Sequence, residues 1–139
     1  VRQAHLVALA VLGMGPALLH GATARSQGGA KAPRIAVEPD GFDFGQSLKN
    51  KELVKEFYVR NHGGTDLVIE KVTTSCGCTA ALLNERDRVV KPGGSASLQV
   101  KLRTSVPGRL VKSVLIKSND PARELYELKV QADVVEATP

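Results

Sequence analysis

A chain of 139 residues with 19 Lys and Arg against 14 Asp and Glu carries a formal net charge of +5, and is therefore only mildly basic. Its basic residues are interspersed with acids and form no run with interleaved aromatics, so no nucleic acid partner is expected. With 4% aromatic residues and no tryptophan, a stacking platform for sugars or single strands is not expected either.

The N-terminal segment has the pattern of a secretory leader. Arg2 and His5 precede an apolar stretch from Leu6 to Leu19, broken by Gly13, Gly15 and Pro16 and followed by the small-x-small run Ala22-Thr23-Ala24. Residues 1–24 are read as a signal peptide cleaved after Ala24. The stretch is shorter than the roughly 20 apolar residues a membrane helix needs, so no span is expected after cleavage. Residues 25–33 are small and polar and read as a flexible linker. The expected location is the periplasm or the medium, and residues 34–139 are left to form one domain.

That domain is a series of short alternating runs. Arg34 to Glu38 and Phe42 to Phe44 are short edge pieces separated by Pro39-Asp40-Gly41. Leu53 to Arg60 places Phe57 and Val59 on one face, and Leu67 to Thr73 does the same with Leu67 and Ile69. In Ser95 to Leu102 the set Ala96, Leu98, Val100 and Leu102 alternates with polar residues, a pattern a helix would scatter around its circumference. Leu110 to Ser118 points Val114 and Ile116 inward, and Tyr126 to Val134 alternates again. The connectors are strong turn formers: Asn61-His62-Gly63-Gly64, Pro92-Gly93-Gly94, Val106-Pro107-Gly108 and Asn119-Asp120-Pro121. No helix is predicted. About seven strands with regular turns imply an all-β, immunoglobulin-like antiparallel β-sandwich, with a small barrel as the alternative. Its core is predicted to rest on aliphatic residues plus Phe42, Phe44, Phe57, Tyr58 and Tyr126.

Catalytic constellations are sparse. Beyond the leader the chain has a single histidine, His62, which sits in a glycine-rich turn, and no nucleophile-base-acid set can be assembled around it. The carboxylates show no isolated pair of the kind glycoside hydrolysis needs. Gly28-Gly29, Gly63-Gly64 and Gly93-Gly94 lack the lysine-serine companion and helix of a phosphate-binding loop. No small-molecule substrate is expected.

The only thiols lie in Thr74-Ser75-Cys76-Gly77-Cys78-Thr79, where a strand ends. A disulfide closing three residues contributes only about 1.6 kcal/mol of chain entropy, too little to hold a sandwich together. In a straight strand the two Cα atoms lie about 6.7 Å apart, so pairing wants a bend at Gly77. Three readings stand for Cys76 and Cys78: a passive disulfide formed after export, a labile redox pair, and a two-thiolate Cu(I) site. Closed zinc would need ligands from elsewhere. Lys71, Arg86 and Arg88 are the basic residues near the pair in sequence.

Taken together, Phe42-Asp43-Phe44-Gly45, Phe57 to Asn61 with Gly63, Leu67-Val68-Ile69, Ser75-Cys76-Gly77-Cys78-Thr79, Pro92-Gly93 and Ser118-Asn119-Asp120-Pro121 resemble one pattern. The sequence from Ile35 to Val134 resembles the domain-of-unknown-function 1573 family of bacterial exported proteins. That family is related to Hydin-type and major-sperm-protein-like immunoglobulin domains. The resemblance implies a β-sandwich and an envelope or secreted location, with Ser75, Gly77 and Thr79 framing the cysteine motif; it implies no activity. The expected function is a non-enzymatic binding or scaffold module whose partner is another envelope protein. The alternative is a thiol-based redox or Cu(I)-binding protein acting through Cys76 and Cys78.

Overall fold

A computed structural model describes residues 31–138. The predicted signal peptide and residues 25–30 of the predicted linker lie outside the described residues. Nine strands follow in order: β1 (Ile35–Glu38), β2 (Phe42–Leu48), β3 (Glu52–Asn61), β4 (Leu67–Thr74), β5 (Thr79–Leu83), β6 (Val89–Val90), β7 (Ser95–Arg103), β8 (Gly108–Ser118) and β9 (Leu125–Val135). They form a four-stranded sheet in the order β1-β3-β7-β5 and a five-stranded sheet in the order β2-β9-β8-β4-β6. Phe57, Val59, Leu67, Ile69, Leu98, Val100, Val114, Ile116, Leu128 and Val130 are fully buried between the two sheets, as the alternation of their runs requires.

The immunoglobulin-like sandwich is as predicted, with additions. β1 and β2 are one edge run divided between the sheets through a cis Glu38–Pro39 peptide, and β2 then pairs with β9 in parallel rather than antiparallel. β5 and β6 are additional to the predicted strands, as is the 3₁₀ turn Glu85–Asp87 between them. Tyr58 is 41% exposed and does not join the core, because its neighbour Phe57 takes the inward position and the pleat turns Tyr58 outward. Phe42 and Phe44 are partly buried, pack edge to face at 5.0 Å between ring centroids, and flank the core from the edge strand. Ala32 and Pro33, within the composition-defined linker, already touch the domain: Gly64 N–H donates to the Ala32 carbonyl at 3.1 Å, and Pro33 is buried.

Every connection except the one between β8 and β9 carries the chain from one sheet to the other. The buried polar residues sit at the ends of the strands: Asn61, Thr79 and Thr104 at such crossings, Ser118 and Asp120 at the β8–β9 turn. Asn61, fully buried at the end of β3, donates through Nδ2 to the carbonyls of Thr65 and Val90 at 2.7 and 2.9 Å. Its Oδ1 accepts from Gly63 N–H at 2.9 Å and Arg34 N–H at 3.2 Å. Thr104, at the end of β7, holds the β2–β3 turn through Lys51 N–H and the Leu48 carbonyl, both at 2.8 Å. Asp120 accepts from Ile35 N–H at 2.9 Å and Ala122 N–H at 2.8 Å. Among the described residues, no buried side-chain polar atom lacks a partner.

The scaffold can be probed at two positions. Replacing Asn61 by Ala strands two carbonyls and two amides, and is expected to cost about 3 kcal/mol, comparable to the core truncation Leu98→Ala, in urea denaturation. The second position is Tyr126, whose hydroxyl donates to Asp40 in the β1–β2 crossing. Burial first, and then the Asp40 carboxylate, push its pKa up to about 12 from an ordinary 10.0. Tyrosine is neutral in both folded and unfolded chains below pH 10, so Tyr126 leaves stability unchanged there; above it the unfolded residue ionises first, and stability falls until the folded pKa is reached. An ultraviolet tyrosinate titration should show this late step, and Asp40→Asn should lower it without returning it fully to 10.0, since burial is the larger cause.

Candidate functional site

β4 belongs to the five-stranded sheet and β5 to the four-stranded one, and only Ser75 to Cys78 lie between them. The cysteine motif is therefore a crossing between sheets, at the end of the sandwich opposite Asn61. Cys76 and Cys78 form a disulfide with Cα atoms 5.4 Å apart, shorter than in a straight strand, so the bend between them is present. Nothing lies within 4 Å of a Cβ built on Gly77, so neither crowding nor a left-handed backbone requires glycine there.

Hydrogen bonds that do not involve the sulfur–sulfur bond hold the turn. Thr74 Oγ1 lies 3.0 Å from the Cys76 carbonyl and 2.9 Å from the Thr79 carbonyl, and Thr79 N–H donates to the Cys76 carbonyl at 3.3 Å. On the β8 side, Ser75 N–H donates to the Ser113 carbonyl at 2.9 Å, and Ser75 Oγ accepts from Ser113 N–H at 3.1 Å. On the β7 side, Arg103 N–H donates to the Cys78 carbonyl at 2.8 Å. Thr79, 4% exposed, closes the core beneath the turn, so Ser75 and Thr79 have structural tasks on either side of the pair.

The sulfurs differ in their surroundings. Cys76 Sγ accepts from Cys78 N–H at 3.3 Å, and Cys78 Sγ lies 3.8 Å from Thr79 Oγ1; Cys78 also lines a shallow depression of about 90 Å³ together with Glu52, Gly77, Ala80, Lys101 and Arg103. The β5–β7 register places Ala80 opposite Lys101, and the β3–β7 register places Glu52 opposite Arg103. Lys101 Nζ lies 3.7 Å from Glu52 Oε1. The cations beside the motif thus come from β7, about two dozen residues away along the chain. Arg88, nearer in sequence, is bound to Glu85 at 2.7 Å and to the carbonyls of Ile69 and Glu70 along β4. Among the described residues, no group of three or more His, Cys, Asp or Glu is placed to hold a metal ion.

The turn residues of the motif pattern gather at the opposite end. A Cβ on Gly63 would meet the Ala32 carbonyl at 2.0 Å, so glycine is required for the N-terminal segment to cross it. Gly93 has φ of +76°, and its N–H donates to the Asn61 carbonyl at 2.9 Å, so the Pro92-Gly93 turn docks on the same asparagine. Asn119 accepts from Val68 N–H at 2.8 Å, and Asp120, followed by Pro121, anchors β1. These positions hold the fold together, and the structure does not bring them to the cysteines. Asn61, Thr104 and Ser118 emerge as buried groups only in the structure. Their signal in the sequence is the inward phase carried past the last apolar residue: Phe57-Val59-Asn61, Val100-Leu102-Thr104 and Val114-Ile116-Ser118.

The architecture defines an immunoglobulin-like sandwich whose edge strand is shared between its sheets. Residues 35–134 match the family described as protein of unknown function (DUF1573), and the chain belongs to that family. No curated protein matches the sequence. Among solved structures, a protein of unknown function from Porphyromonas gingivalis is similar with a TM-score of 0.65 and 22% identity, over 80% of this chain and 51% of that one. The Vibrio cholerae VesB protease is similar at 0.61 and 13% identity, over 71% of this chain and 31% of that one. The ASH/PapD-like domain 7 of human CEP192 is similar at 0.56 and 10% identity, over 77% of this chain and 89% of that one. The chain spans about half of the first of these proteins and under a third of the second, and these likenesses concern the fold. No helix among the described residues is long and apolar enough to cross a membrane.

Because the turn is held from three sides, the double variant Cys76→Ser/Cys78→Ser should remain folded. Its loss of stability in urea is expected not to exceed about 2 kcal/mol, with an unchanged far-ultraviolet circular dichroism spectrum.

Proposed function

We propose that the chain is an exported, non-enzymatic immunoglobulin-like module of the bacterial envelope that binds or positions another envelope protein through a sheet edge. The observation that carries this reading is β5. Three of the four sheet edges are blunted: β1 has four residues and is followed by Pro39, β2 is broken by a register shift between Asp43 and Gln46, and β6 has two residues, with Arg88 covering the carbonyls of β4 beyond it. β5 is a five-residue edge strand, and its Leu82 is 51% exposed. The bond from Arg103 N–H to the Cys78 carbonyl sets the ladder phase, so that Ala80 and Leu82 bond inward to β7 while Ala81 turns its N–H outward. Such an edge suits an extended segment of a partner, added as a further strand, with Leu82 and the adjacent hollow at Leu83, Asn84 and Gln99 selecting side chains. The leader supports export. The buried polar groups Asn61, Thr104, Ser118 and Asp120, engaged in holding turns, support a module that presents surfaces rather than one that turns over a substrate.

A photo-crosslinking residue at position 82 is expected to give a discrete adduct in envelope extracts of the source bacterium, and the same residue at position 125 is expected to give none. Ala81→Pro removes an outward N–H without disturbing the β7 ladder, so it should leave stability nearly unchanged and abolish the adduct. An adduct that survives Ala81→Pro, or forms equally from position 125, would refute edge binding. Export is checked separately by the mass of the secreted chain, expected to begin at Arg25.

A further inference from the structure

We infer that the Cys76–Cys78 disulfide is a thiol–disulfide exchange site in which Cys78 is the sulfur attacked and Cys76 is the leaving and resolving thiol. Four observations converge on this assignment. The turn keeps its shape through Thr74, the Ser75–Ser113 pair and Arg103 N–H, so opening the bond is a local event that leaves both sheets intact. Both cysteines are partly buried, but Cys78 is among the residues that line the depression and Cys76 is not. Gly77 leaves the rim of that depression uncovered, at a position where a side chain would meet no neighbour. Lys101 and Arg103 line the same depression against the single carboxylate of Glu52, which gives it a net positive lining.

The ligand that fits this chemistry is a thiolate. An incoming thiolate is drawn towards the basic lining and attacks Cys78 Sγ, forming a new S–S bond as the Cys76–Cys78 bond breaks. The electron pair leaves on Cys76 Sγ, which already accepts a hydrogen bond from Cys78 N–H at 3.3 Å, a contact that favours the thiolate over the thiol. Two outcomes balance. Cys76 can return the electrons by attacking Cys78 Sγ and releasing the incoming thiol. Alternatively, a second thiolate from the partner attacks the mixed disulfide at the partner's own sulfur, which leaves this chain as the dithiol and the partner oxidised by two electrons. Lys101 and Arg103 are positioning residues in this scheme, acting on the approach of the anion and not on the bonds exchanged.

The depression, about 90 Å³, admits a cysteine side chain. The thiolate has two possible sources, a cysteine of another protein or a small anionic thiol such as glutathione. The test uses the mature protein with glutathione, cysteamine and a dithiol peptide as probes, quenched by alkylation and mapped by mass spectrometry. The expected intermediate carries the probe on Cys78 and the alkyl group on Cys76, with unchanged circular dichroism. Glutathione should react faster than cysteamine relative to their intrinsic thiolate reactivities. Lys101→Gln/Arg103→Gln should reduce that preference roughly three- to tenfold, and added salt should do the same. Glu52→Gln should raise it, and Gly77→Val should slow all probes without changing the melting temperature. A protein-cysteine source is indicated if the dithiol peptide opens the pair faster than glutathione relative to their intrinsic thiolate reactivities. A small-thiol source is indicated by the reverse ranking. The assignment is overturned if the pair opens only in denaturant, if the probe is found on Cys76, or if the charge variants leave the glutathione preference unchanged.

Discussion

A strand that leaves one sheet for the other abandons its ladder partners, and the freed backbone groups must be satisfied within the few residues of the crossing. Among the described residues the chain makes that passage seven times. Three of the five buried polar residues stand at these crossings: Asn61 at the end of β3, Thr79 at the start of β5 and Thr104 just after β7. Ser118 and Asp120 act in the same way in the remaining turn, the one between β8 and β9. Asn61, Thr104 and Asp120 tie distant segments through backbone groups, so the two sheets are registered by their ends as well as by the apolar layer between them. The interior is committed to this task, and chemistry or recognition is left to edges and ends.

The two ends are used differently. At one, Asn61 binds the N-terminal segment, the Pro92-Gly93 turn and the end of β6 into a closed cap. At the other, the β4–β5 crossing is held by Thr74, Ser75 and Arg103, and carries in addition a covalent bond that the hydrogen bonds make redundant for shape. A bond that contributes little to the fold is free to be opened. The open edge of β5 begins at the same crossing, so a partner strand laid along β5 would end beside Cys78.

Much of this is legible in the sequence because β7 and β9 alternate strictly across a sheet with one buried face, and a one-residue slip would expose the whole apolar set. β5 is not legible, since Thr79-Ala80-Ala81-Leu82-Leu83 lacks alternation: at an edge, Leu82 is exposed while Ala81 and Leu83 are only partly covered. β6, with two valines, is too short to carry a period. The cysteine pair is visible as a pair, but its charged neighbours are not, because β-sheet register and not chain proximity brings Lys101 and Arg103 alongside it. The parallel edge is hidden for the same reason: Phe42-Asp43-Phe44 reads as a strand without revealing which sheet receives it.

That parallel edge has a mechanical meaning. β2 and β9 lie side by side and run in the same direction, with Phe42 opposite Val130 and Leu48 opposite Val135. Tension applied where the chain enters β2 and where it leaves β9 acts on opposite ends of this ladder, so its hydrogen bonds bear the load together, in shear. In an antiparallel hairpin pulled from its open end, the bonds would break in sequence. The side chains reinforce the seam: Arg109 spans Asp43 on β2 and Asp133 on β9, and Gln131 donates to Asp43 at 3.0 Å. A pull on these two points therefore meets the whole seam at once.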